Sequence, residues 1–396
     1  MTSTEPQHVR RNARVLSIAQ ALGGASPAII ISLGGLVGQT LASQPALATL
    51  PVSMFHLGLA LGTIPAAMLM RRYGRRSGYA LGALLGILGG LVAAYGIAVG
   101  SFLLFCTGTA LAGLYASYVQ SYRFAVIDGI APERRARAIS WIMTAGLFAA
   151  VIGTQTVIWT RDALPAAPFA GSFLSQAGLA LLALLVLSRL HNVPVAVADP
   201  QHGSGRPLSE IARQPRFIVA VVAGMVSYGL MSLVMTAAPM AMVGCGHTVG
   251  EAALGIQWHV LAMYLPSFFT GRLIERYGKA RITILGLLLT ASASAVALSG
   301  LGISHFWGML VLLGLGWNFG FIGATALLTD CYRPEERTRA QALNDFLVFG
   351  SVAAASLASG RLLSVSGWDT VNQLVFPIVA LVLALLLWQR LAAHRA

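Results

Sequence analysis

The sequence predicts an all-α membrane protein with twelve transmembrane helices arranged as two parallel six-helix repeats. Three observations lead to this fold class. Of the 396 residues, 57% are hydrophobic and only 10% are charged, and the mean hydropathy is +0.75. The apolar residues form twelve runs, each close to the roughly 20 residues that a membrane-spanning helix requires. Basic motifs also recur at a nearly constant offset, which indicates an internal duplication.

The apolar runs are centred near residues 28, 58, 88, 113, 150, 180, 230, 260, 291, 316, 353 and 381. A polar stretch rich in proline and glycine separates them into two sets of six. We therefore expect a cytoplasmic tail (1–14), an N-terminal six-helix bundle (15–190), a cytoplasmic linker (191–215), a C-terminal bundle (216–391) and a short cytoplasmic tail (392–396).

The basic residues predict the orientation of the chain. The formal net charge is +13, and the arginines concentrate in alternate loops, such as Arg134, Arg135 and Arg137 after the fourth span. Cytoplasmic loops of membrane proteins carry such an excess. We therefore expect both termini to lie in the cytoplasm. The partner that this charge indicates is the lipid bilayer and not nucleic acid.

Two pairs of motifs support the duplication. Arg72-Tyr73-Gly74-Arg75 follows the second span, and Arg276-Tyr277-Gly278-Lys279 follows the eighth, 204 residues later. Residues 132–138 after the fourth span match residues 334–340 after the tenth, at an offset of 202. Because each motif has the same place in its half, the halves are predicted to be parallel repeats.

These features resemble the major facilitator superfamily, whose loop pattern is G-x-L-x-D-R-x-G-R-[RK]. Residues 271–279 fit this pattern with Glu275 in place of Asp, whereas the first copy has Ala67 and Arg71 at the leading Gly and the Asp. The resemblance implies transport by alternating access, by a protein that works as a monomer. It assigns gating loops to Arg72, Gly74, Arg75, Glu275, Arg276 and Gly278.

The seventh and eighth spans carry four soft side chains at matching depth. Met231 and Met235 are four residues apart, as are His259 and Met263, so each pair shares a helix face. At about 1.5 Å per residue, Met235 and His259 each lie about 12–13 Å from the turn joining the two spans. Thioether and imidazole groups suit Cu(I). The alternative is that the methionines only fill gaps in the packing.

Three further residues are candidates for secondary metal binding or proton coupling. His56 lies 203 residues before His259, which makes the two pseudo-equivalent. Cys245 and His247, in the outer turn, could capture a metal before it enters. The alternatives are a packed histidine bonded to a neighbouring helix and a solvated turn.

The Met-x-x-x-Met and His-x-x-x-Met pairs resemble the signature of the CcoA-type copper importers of proteobacteria. This resemblance implies copper import across the inner membrane for assembly of cbb3-type cytochrome oxidase. Copper would be the transported substrate and no cofactor is expected. A periplasmic donor and a cytoplasmic copper acceptor would be the partners.

Two alternatives remain open. One is a transporter of a small organic solute such as riboflavin or a drug, with a flat molecule stacked on aromatic residues; the candidates are Tyr115, Tyr118, Tyr122, Tyr228 and Trp317, with Gln39, Gln120, Arg123 and Asn318 as polar neighbours. The other is a metal-binding sensor without transport. An enzyme is not expected, because no nucleophile–base pair can be argued from the spacing.

Overall fold

The computed structural model of the chain describes residues 7–126, 132–191 and 205–395. Within these ranges the regular structure is entirely helical, which confirms the predicted all-α class. Most of the predicted linker, residues 192–204, and the start of the N-terminal tail lie outside the described residues.

The α-helices are α1 (Gln7–Gly23), α2 (Ala25–Leu41), α3 (Leu50–Tyr73), α4 (Arg75–Ala98), α5 (Phe102–Gln120), α6 (Tyr122–Ala125), α7 (Pro132–Thr160), α8 (Ala170–Leu187), α9 (Leu208–Ala212), α10 (Pro215–Gly244), α11 (Val249–Tyr264), α12 (Ser267–Tyr277), α13 (Lys279–Ser299), α14 (Ile303–Leu328), α15 (Arg337–Gln373) and α16 (Val375–Arg395).

Ten helical segments in the described ranges are long and apolar enough to cross a membrane. Two of the twelve predicted spans are not among these ten. The eighth is divided into α11 and α12 around Pro266, because proline has no N–H to continue the helical hydrogen bonds. The twelfth corresponds to α16, whose apolar part, Val375–Gln389, is shorter than the ten segments. The first of the ten segments is itself made of two helices, α1 and α2, which meet at Gly24.

The chain divides into two compact units. Unit 1 is Met1–Val197 with Ala252–Gln257, and unit 2 is Ala198–Glu251 with Trp258–Ala396. In unit 1, α5 packs against α3 and α4, and α4 also packs against α8. In unit 2, α13 packs against α14, and α10 packs against both α14 and α15.

Helix α4 shows how the sequence chooses its faces. Leu81, Leu84, Leu88 and Leu91 are exposed and recur every three or four residues, so they form one stripe along the helix. The opposite face has glycines that let neighbouring helices of the same chain approach closely. Large apolar residues outside and small residues between helices are typical of helices packed within a bilayer.

Candidate functional site

Five aromatic rings from four helices of unit 2 form a continuous group, here called the aromatic cluster. Its members are Tyr228 of α10, Tyr264 of α11, Trp317 and Phe321 of α14, and Phe349 of α15. The centroids of contacting rings lie 5.1–5.9 Å apart. Trp317 and Phe321 stack at an interplanar angle of 21°, whereas Tyr228 meets both of them edge-on. Such arrangements are favoured by aromatic quadrupoles.

The aromatic cluster is partly open. Tyr228, Tyr264, Phe321 and Phe349 keep part of their surface exposed, whereas Trp317 is only 6% exposed. The indole Nε1 of Trp317 is buried and has no hydrogen-bond partner. A buried donor without an acceptor costs free energy, so this N–H is a ready donor for an incoming polar group.

The break in the eighth span lies beside this cluster and is closed by Asn318. Its Nδ2 donates to the carbonyl oxygen of Met263 at 2.6 Å and to the Ser267 hydroxyl at 2.7 Å. Its Oδ1 accepts a hydrogen bond from the Thr270 hydroxyl at 2.6 Å. Asn318, named as a solute contact from the sequence, is therefore fully occupied in holding the interrupted helix.

His259, the central predicted metal ligand, joins two helices of unit 2. The Nδ1–H of His259 donates to the Leu310 carbonyl oxygen at 2.7 Å, while its Nε2 is buried without a partner. One turn further along α14, Gly314 has no side chain where the backbone of α11 at His259 comes close. With Asn318 one turn beyond, three successive turns of α14 contact α11.

The other three predicted ligands, Met231, Met235 and Met263, are buried as well. Met231 and Met235 share α10, and Met263 lies one turn from His259 on α11. Within the described ranges, no group of three or more His, Cys, Asp and Glu side chains could hold a metal ion. The role of the four residues as ligands stays a prediction from the sequence.

The secondary candidates have different environments. His56 is buried in α3, next to the ring of Phe55, with its Nδ1 unpaired. Cys245 is an exposed free thiol at the end of α10. His247 anchors the turn between α10 and α11, because its Nε2 lies 2.8 Å from the Leu301 carbonyl oxygen and its ring packs edge-on against Phe306.

The two predicted gating loops have the same local geometry. Gly74 and Gly278 both combine a φ near +85° with extended ψ values, 83° and 160° for Gly74 and 90° and 149° for Gly278. Only glycine adopts such a conformation readily. The guanidinium of Arg72 lies 5.3 Å from the Tyr73 ring, and that of Arg276 lies 5.2 Å from the Tyr277 ring. Arg75 also donates to the Tyr79 hydroxyl, whereas Glu275 is exposed.

The tyrosines proposed from the sequence for the N-terminal half belong to the core of unit 1. Tyr115, Tyr118 and Tyr122 are buried in one hydrophobic cluster. Tyr115 packs where Gly86 has no side chain, and Tyr118 packs in the same way against Gly82. These three residues are therefore packing residues, and the partly open rings are those of the C-terminal half.

Three members of the aromatic cluster, Tyr264, Phe321 and Phe349, were not singled out from the sequence. One signal was available for Phe321, because it follows Trp317 by four residues and therefore shares its helix face. Tyr264 and Phe349 enter the cluster through contacts between helices, which no local pattern reveals.

Comparison with known proteins assigns the chain to a group of transporters. A family model described as Major Facilitator Superfamily matches residues 15–262 and again 221–396. The riboflavin transporter RfnT of Brucella anthropi is 63% identical over 382 residues, 96% of both chains. The MFS-type transporter YdeG of Bacillus subtilis is 31% identical, over 96% of this chain and 92% of its own. A solved mutant of the nucleoside transporter NupG shares the fold, with a TM-score of 0.75, 13% identity and coverage of 95% and 99%.

The prediction that the chain is a copper importer is wrong. Identity of 63% across nearly the whole chain to a riboflavin transporter favours a small organic solute. The copper prediction depended on two short motifs, whereas the similarity to RfnT extends over 96% of the chain. The predicted copper donor and acceptor lose their basis together with the copper substrate.

Proposed function

This chain belongs to the Major Facilitator Superfamily, and we propose that it carries riboflavin or a closely related flat organic solute across the bacterial plasma membrane. The observation that carries the proposal is the similarity to RfnT, 63% identical over 96% of each chain. A distant likeness of fold would not suffice, because one fold hosts many substrates.

The aromatic cluster supports a flat solute. Tyr228 and Trp317 lie close to the midpoints of α10 and α14, and substrates of such repeat transporters bind near the middle of the bilayer. The tricyclic ring of riboflavin stacks on aromatic side chains, and each stacked pair contributes about 0.5–1.5 kcal/mol beyond the area that it buries.

Charge and hydrogen bonding agree with the same solute. None of the five aromatic cluster residues carries a charge, which suits a neutral molecule because charges inside a membrane are costly. The unpaired indole N–H of Trp317 would donate to a ring carbonyl of the solute. The proposed roles are thus stacking for Tyr228 and Phe321, and hydrogen bonding for Trp317.

Uptake in living cells tests the function. We expect the chain to restore growth on low riboflavin in a bacterium that cannot make riboflavin and lacks its own transporter. Initial rates of radiolabelled riboflavin uptake should saturate, and excess unlabelled riboflavin should compete. The same strain with the empty vector is the negative control. In the strain that carries the protein, an excess of a nucleoside as competitor is the control for specificity.

Absence of uptake from cells in which the full-length protein is present in the membrane would contradict riboflavin as the substrate. Competition by the nucleoside as strong as that by riboflavin would point to a different class of flat solute.

A further inference from the structure

A basic groove lies at one end of unit 1, and none of the residues that line it belongs to the aromatic cluster. It has a volume of about 480 Å³ and its walls come from α1 and the end of α8. Arg10, Arg11 and Arg14 line it from α1, and Arg189 lines it from the residues after α8.

The groove changes from charged to apolar along both helices. On α1, Arg11 and Arg14 are followed at helical spacing by Val15 and Ile18, so these four share one face. On the other wall, Val186 comes one turn before Arg189. All of these side chains line the groove. Each wall therefore has arginine at the helix end and an aliphatic residue about one turn deeper.

The two walls are held together. Asn12 donates through its Nδ2 to the His191 carbonyl oxygen at 2.9 Å and accepts from the His191 backbone N–H at 2.9 Å. The His191 ring also lies 5.5 Å from that of His8. These contacts fix the ends of α1 and α8 side by side, so the arginines do not need to be brought together by a ligand.

The groove has no countercharge on its own helices, because neither Gln7–Gly23 nor Ala170–Leu187 contains an acidic residue. Four arginines line this one groove, and guanidinium groups bind phosphate oxygens through paired hydrogen bonds. The 51% exposure of Ile18 gives the apolar part of the groove an open side, where an acyl chain could lie against it.

We propose that this groove binds the headgroup of an anionic phospholipid. The phosphodiester lies among the four arginines and the first carbons of the acyl chains lie against Val15, Ile18 and Val186. A free phosphate ion would use the arginines but not the aliphatic wall. Basic pockets between membrane helices have this kind of specificity for anionic lipid headgroups. The proposal is independent of the transported solute.

Lipid binding to the purified full chain tests this site. In a neutral detergent, dioleoylphosphatidylglycerol is titrated and bound lipid is counted by native mass spectrometry, with dioleoylphosphatidylcholine for comparison. We expect the anionic lipid to bind at least tenfold more tightly and to weaken as salt is raised. Each arginine changed to glutamine should reduce the affinity about fivefold.

The variants are Arg14→Gln alone, a set with all four arginines changed to glutamine, and the corresponding lysine set, which should keep its preference for the anionic lipid. Arg213→Gln, an exposed arginine outside the groove, is the matched control and should bind like the wild type. If the fourfold glutamine set does not fold, Arg14→Gln and the lysine set decide the question.

Three results would overturn the proposal: equal binding of the two lipids, an unchanged affinity in Arg14→Gln, or an equal loss in Arg213→Gln. Displacement of the lipid by an equal concentration of inorganic phosphate would also overturn it, because the site would then select a free anion.

Discussion

Trp317 combines an aromatic face with an unpaired buried N–H, and these two features can be separated by substitution. Trp317→Phe keeps a ring for stacking but removes the donor. We expect the KM for riboflavin uptake to rise about tenfold, because a hydrogen bond to a neutral partner contributes about 1–1.5 kcal/mol. Trp159→Phe is the matched control, since Trp159 is 76% exposed.

The measurement is the initial rate of labelled riboflavin uptake at several concentrations, with protein levels compared by immunoblot. An unchanged KM in Trp317→Phe would remove this residue from the site. An equal effect of Trp159→Phe would show that the loss is not specific to the aromatic cluster.

Glu336 is buried and forms an ion pair with Arg206, which lies near the end of the predicted linker. The side chain and backbone N–H of Arg206 donate to its carboxylate at 2.8–2.9 Å, and the Arg333 backbone N–H adds a bond at 2.9 Å. The Arg206 side chain, followed by the Arg333 backbone N–H, holds the pKa of Glu336 well below its usual range. This stabilisation is present above the unfolded pKa of about 4.3 and is lost as the pH falls through the lower folded value.

Glu336→Gln should therefore lower the Tm at pH 7, and the difference from wild type should shrink as the pH falls below about 4. Thermal unfolding of purified protein at pH 7 and pH 3 measures this. The exposed neighbour Glu335→Gln should have little effect at either pH. A difference that stays constant with pH would contradict the ion pair between Glu336 and Arg206 as its source.

Helix α13 packs against α14 at a point where both backbones are glycine. A Cβ added to Gly286 would collide with the backbone of Gly320, which belongs to the neighbouring helix. Gly286→Ala should therefore separate the two helices and destabilise unit 2 by about 1–3 kcal/mol, the usual cost of overpacking.

Gly178→Ala in α8 is the control for that substitution, because no atom lies within 4 Å of the added methyl group. Its effect should be neutral or slightly stabilising, since alanine is the better helix former by about 1 kcal/mol. Thermal unfolding in detergent compares the two variants. Equal stability of both would contradict the close approach of α13 and α14.

The orientation of the whole chain can be tested with its own cysteines. Cys245 is exposed at the turn after α10, whereas Cys106 and Cys331 are buried. Because the positive-inside rule places this turn on the periplasmic side, a membrane-impermeant maleimide should label right-side-out membranes. Cys245→Ser should abolish the labelling. Labelling only of inverted vesicles would reverse the predicted topology.

The fold class, the duplication and the approximate positions of the spans follow from local sequence, because the bilayer acts on each run of about 20 residues separately. The special glycines were predictable for a similar reason: Gly74 and Gly278 lie in matching short motifs and adopt matching conformations. The break at Pro266 also has a local cause, since proline lacks an N–H.

The site depends on contacts between residues distant in the chain, which helical spacing does not reveal. The spacing of His259 and Met263 tells which residues share a face but not what that face contacts. Only the packed helices place His259 against Leu310, 51 residues away, and Asn318 across the break at Pro266. The same packing buries Tyr115 against Gly86 and leaves Tyr228 partly open. The physical reason is that a hydropathy pattern records how apolar a helix face is, whereas a binding site depends on which faces meet.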